Sequence, residues 1–78
     1  MRLIKNIPHS RYLIEIHEYN NKYILKITLD NYEQVYKIPV QNISSLTKID
    51  EIVSEEFLSN NLKRFLAMKE DWVKNIYH

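Results

Sequence analysis

Three histidines, His9, His17 and His78, are the side chains best suited to chemistry in this chain. An imidazole binds a metal or moves a proton only where partners converge on it. His9 follows Pro8 in a lead-in loop, His17 falls within an alternating apolar segment, and His78 is the last residue of the sequence. No two of them have ligand spacing on one face. Asp50-Glu51, Glu55-Glu56 and Glu70-Asp71 are adjacent carboxylates. Neighbours on a helix point in different directions, so these pairs read as caps and solvated surface rather than acid–base couples. There is no Cys, which excludes disulfides, thiolate catalysis and Cys-based zinc sites. There is no Gly either, so phosphate-cradling loops and the nucleophile elbow lack the residue they require. The expectation is a protein without enzymatic activity, cofactor or metal.

The elements that would carry any surface are clearer. Residues 11–40 read RYLIEIHEY, NN, KYILKITLD, a short turn and EQVYKIPV. Period-two alternation marks half-buried strands. Asn20-Asn21 suits a two-residue type I′ turn, because Asn tolerates positive φ. That turn sets Tyr19 opposite Lys22, His17 opposite Ile24, Ile16 opposite Leu25, Glu15 opposite Lys26 and Ile14 opposite Ile27. Apolar then meets apolar on one face and opposite charges meet on the other. A second tight turn at Asp30-Asn31 sets Leu29 opposite Tyr32, Leu25 opposite Tyr36 and Tyr23 opposite Ile38. Pro39 fits an edge strand, since it donates no ladder hydrogen bond. Residues 2–7, RLIKNI, read either as a further edge strand or as an extended lead-in.

From Leu46 the apolar period lengthens to about 3.6. Leu46, Ile49, Ile52 and Val53 suit one face of a short helix, with Ser45 or Thr47 as its N-cap. Ser54 caps a second helix, whose first turn carries Glu55 and Glu56 at the positive end of its dipole. Leu58, Leu62, Phe65, Trp72 and Ile76 recur at helical spacing. Asn60-Asn61 is the weak point of this run, so the helix starts either at Glu55 or near Ser59. The fold class is α+β. An antiparallel meander of three strands, or four with residues 2–7, precedes a short helix and a long C-terminal helix. The long helix packs on one sheet face, with Phe65 and Trp72 expected in the core against Ile14, Leu25, Ile27 and Ile38.

Seventy-eight residues, 45% hydrophobic and 27% charged, make one domain spanning residues 1–78. The formal net charge of +1 gives no overall pull toward nucleic acid or anionic lipid. No apolar run approaches the roughly 18 residues of a membrane span, and MRLIKNIPHS lacks a signal-peptide core. The expected location is the cytoplasm, without a membrane partner.

The run from Pro8 to Tyr36, PHSRYLIEIHEYNNKYILKITLDNYEQVY, together with EEFLSNNLKRFLAMKEDW, resembles a family of small uncharacterised bacterial proteins of the Bacteroidetes type. That family implies no activity and assigns no site residue. The order of a meander before a long helix is also similar to transcriptional coactivators and Pur-type proteins that bind single-stranded DNA. The glycines, basic arms and stacked aromatics of that group are missing here.

The surface with most signal is the sheet face away from the helix. Leu13, His17, Tyr19, Ile24, Lys26, Val35 and Lys37 share it, and Leu13, Ile24 and Val35 are expected to stand in water. The reading is a small interaction module whose outer sheet face docks another protein or a second copy as a homodimer. The alternative is weak single-stranded nucleic-acid binding by Lys22, Lys26, Lys37 and Tyr19.

Overall fold

A computed structural model describes residues 1–76; Tyr77 and His78 lie outside the described residues. The chain forms β1 (Arg2–Ile7), β2 (Leu13–Tyr19), β3 (Lys22–Leu29) and β4 (Tyr32–Pro39). A 3-10 turn (Val40–Asn42), α1 (Leu46–Ile52) and α2 (Glu55–Ile76) follow. The strands make one four-stranded antiparallel sheet in the order β1-β2-β3-β4.

Turn chemistry sets the register. Asn20 and Asn21 hold φ of 52° and 60°, as a type I′ turn demands. The pairing that results is Tyr19–Lys22, His17–Ile24, Ile16–Leu25, Glu15–Lys26 and Ile14–Ile27. At the second turn only Asp30 is left-handed, with φ of 54°, and Leu29 pairs with Tyr32, Leu25 with Tyr36 and Tyr23 with Ile38. Residues 2–7 form the fourth strand. Its pairing shifts between Leu3 and Lys5, so Ile4 packs on the core and the Lys5 ammonium donates to Asp50 Oδ2 at 2.9 Å beside α1.

One sheet face is covered. Tyr12, Ile14, Ile16, Leu25 and Ile27 are buried there with Ile49 of α1 and with Leu58 and Phe65 of α2. Phe65 is 2% exposed and its ring stacks on Tyr12 at 6.1 Å between centroids. Ser45 is the N-cap residue of α1, and its hydroxyl bonds to that of Thr47 at 2.7 Å. Ser54 caps α2, accepting from the Phe57 N–H at 3.2 Å.

One alternative is decided and one expectation is corrected. The helix starts at Glu55 and does not falter at Asn60-Asn61; α2 runs unbroken for 22 residues. Asn61 is fully buried, and its hydrogen bonds explain why. Its Nδ2 donates to the Phe57 carbonyl at 2.8 Å, and its Oδ1 accepts from the Tyr36 hydroxyl at 3.1 Å. Its own carbonyl accepts from Gln34 Nε2 at 2.8 Å. Arg64 Nη1 closes the set on Gln34 Oε1 at 3.2 Å and on the Tyr36 hydroxyl at 3.0 Å. Tertiary bonds to β4 outweigh the weak helix propensity of Asn.

The correction is Trp72, which is not in the core but 54% exposed. Offset is the reason. Phe57 already packs on Tyr36, four residues and about 14 Å from the start of β4 at Tyr32, and Trp72 lies fifteen residues and about 22 Å further along α2. Contacts with Tyr36 come early in α2 and contacts with Tyr32 come late. The helix therefore travels along β4 toward the Asp30-Asn31 turn and runs past it. Every residue from Lys69 to Ile76 is exposed, and the molecule extends 46 Å along its longest axis.

Candidate functional site

Three surfaces hold candidate residues. The first is the outer sheet face. Leu13, Tyr19 and Val35 are exposed on it by 52%, 53% and 46%, and Leu3 of β1 adds 48%. Ile24 departs from expectation, being only 7% exposed. It lies between His17 and Lys37 across the strands and between Lys22 and Lys26 along its own. These side chains, with long lysine stems among them, close over it. The apolar positions are thereby separated into isolated residues around a covered centre.

His17 is also less open than a surface histidine, with its side chain 13% accessible. Its Nε2 is buried without a hydrogen-bond partner. The nearest carboxylate, Glu15 Oε1 at 3.8 Å, is beyond hydrogen-bond reach. Lys26 is half-buried and Lys37 exposed.

The second surface is a cleft of about 440 Å³ between the β1–β2 loop and the start of α2. His9, Arg11 and Tyr12 line one wall, and Glu55, Leu58 and Ser59 the other. His9 has a structural task. Its Nδ1 accepts from the backbone N–H groups of Arg11 and Tyr12 at 3.0 and 3.4 Å, and its ring lies 4.9 Å from that of Tyr12. An imidazole accepting at Nδ1 carries its proton at Nε2 when neutral. Among the described residues, no group of three or more His, Asp or Glu is placed to hold a metal ion. Among the same described residues, no helix is long and apolar enough to cross a membrane.

The third surface is the end of α2. Leu66, Trp72, Val73 and Ile76 are exposed by 59%, 54%, 44% and 53%. The spacing Leu58, Phe65, Trp72, Ile76 keeps one direction on a helix. Trp72 and Ile76 thus continue the stripe that buries Leu58 and Phe65, over a place where the sheet has ended. Two shallow notches flank the indole. One of about 420 Å³ is lined by Tyr32, Met68, Trp72 and Ile76, and one of about 540 Å³ by Asn31, Tyr32, Trp72 and Val73.

Periodicity alone assigns this stripe to the core. Nothing in the sequence marks the point on β4 where α2 begins, and that point carries Trp72 past the strand. Comparison with protein-family models, with curated proteins and with solved structures finds no match for this chain.

Proposed function

We propose that this chain is a small non-enzymatic protein-interaction module that docks through the projecting end of α2. The observation that carries this reading is Trp72. A tryptophan on the core-facing stripe of its helix, half in water, is the residue type that anchors protein interfaces. Leu66, Val73, Ile76, Met68 and Tyr32 surround it with apolar surface. Together they offer on the order of 500 Å², within the range of the largest apolar patch on a monomer, which is often functional.

The outer sheet face is the lesser docking surface, because Leu3, Leu13, Tyr19 and Val35 are each exposed but ring a covered Ile24. Nucleic-acid binding there has less support still. A chain of net charge +1 with Lys22, Lys26 and Lys37 on one face would release few counterions, leaving weak and strongly salt-sensitive affinity.

Photo-crosslinking in the source cell tests the reading. A photoreactive phenylalanine at position 72 is expected to give a discrete protein adduct, and the same group at exposed Lys63 to give none. No adduct from position 72, with one from position 35 instead, would move the docking surface to the sheet.

A further inference from the structure

We propose that the partner at the projecting end of α2 is the same segment of a second copy, the two helices antiparallel about a two-fold axis. This rests on the reading of that end as a docking element, and goes on to name the occupant.

Shape supports it first. A helix packs on another helix at about 8–10 Å, close to the spacing of a helix over the sheet it covers. The open space under Trp72 and Ile76 lies in the layer of the sheet, beside Asn31 and Tyr32 at the second turn. One further helix, continuing that layer, fits there. From Lys69 to Ile76, where every residue is exposed, the projecting segment is about 12 Å long. An antiparallel copy of the same length fills the space and brings its own end up against Asn31 and Tyr32. A parallel copy would run into the sheet.

Reciprocity is the second argument. Any occupant must present an apolar stripe of roughly two turns, and this segment presents one. In a two-fold contact each copy covers the other's Trp72, so a single isologous interface closes both exposed stripes.

Charge permits the contact. The segment carries Lys69 and Lys74 against Glu70 and Asp71, and the whole chain is close to neutral. Two copies meet without net repulsion, whereas a strongly acidic or basic helix gains no net attraction here.

Area sets the strength. Two copies bury less than about 1,000 Å² in total, below the size of a standard specific interface. A reversible dimer with a dissociation constant in the micromolar range is expected, not an obligate one.

Analytical ultracentrifugation of the full chain, from about 1 µM to 1 mM, tests this directly. The wild type is expected to show a monomer–dimer equilibrium. Emission from its only tryptophan should shift to the blue along the same concentration curve. Trp72→Glu should weaken the dimer by more than about tenfold, with an unchanged circular dichroism spectrum. Leu13→Glu, on the outer sheet face, should leave it intact. A wild type that stays monomeric at 1 mM overturns the proposal. So does a dimer that Leu13→Glu abolishes and Trp72→Glu does not. A crosslinked adduct from position 72 to a different protein, with a monomeric wild type, sinks the second copy while the docking reading stands. Absence of both the dimer and the adduct sinks both.

Discussion

Asn61 and Trp72 exchange the places that residue type would give them. The amide is fully buried because it donates to the Phe57 carbonyl and accepts from the Tyr36 hydroxyl, while Gln34 donates to the backbone carbonyl of the same residue. The indole is exposed because its helix has outrun the sheet. Energetics should follow burial, not hydrophobicity. In urea unfolding at sub-micromolar concentration, Phe65→Ala should cost about 3–5 kcal/mol. Asn61→Ala should cost about 1–3 kcal/mol, since it removes the acceptor of the Tyr36 hydroxyl and empties the space between α2 and β4. Trp72→Ala should stay within about 0.5 kcal/mol, as a surface substitution does. A Trp72 cost equal to that of Phe65 would mean that the end of α2 folds back onto the sheet. Phe65 is legible in the sequence as core, because its neighbours at i−7 and i+3 are apolar. Asn61 is not, because its value lies in Gln34 and Tyr36, far away in the chain and on a different period.

At the scale of elements, the strands were the legible part and the end of α2 was not. Two turns of two residues and one alternating pattern leave a single register, and a slip of one residue would carry Ile14, Ile16, Leu25 and Ile27 into water. The same reasoning places Leu13, Tyr19 and Val35 correctly on the outer face. It fails at Ile24, where cover comes from the stems and rings of neighbours and not from another element. The Asn20-Asn21 turn offers a clean test. Asn21 holds φ of 60°, a conformation that glycine takes without a steric cost. Asn21→Gly should leave the pairing unchanged and raise stability by up to about 1 kcal/mol, while Asn21→Val should lower it by at least as much. The thermal midpoint reads both. If glycine lowers it, the turn is not held in the left-handed region.

Taken whole, the molecule is a sheet in chain order with its cover arriving last. Each strand pairs only with its neighbours in sequence, a topology of low contact order that suits refolding within milliseconds. Stopped-flow refolding monitored by far-ultraviolet circular dichroism checks the rate, and a dominant phase of seconds would contradict it. The order also matters while the chain is being made. β4 ends at Pro39, but Phe65, the residue that seals the sheet, follows 26 positions later. At about 5–20 residues per second that is a delay of a second or more. During that interval Ile14, Ile16, Leu25 and Ile27 have no lid of their own. A chain released soon after Pro39 is therefore a natural substrate for a chaperone, and the chain that carries α2 is not.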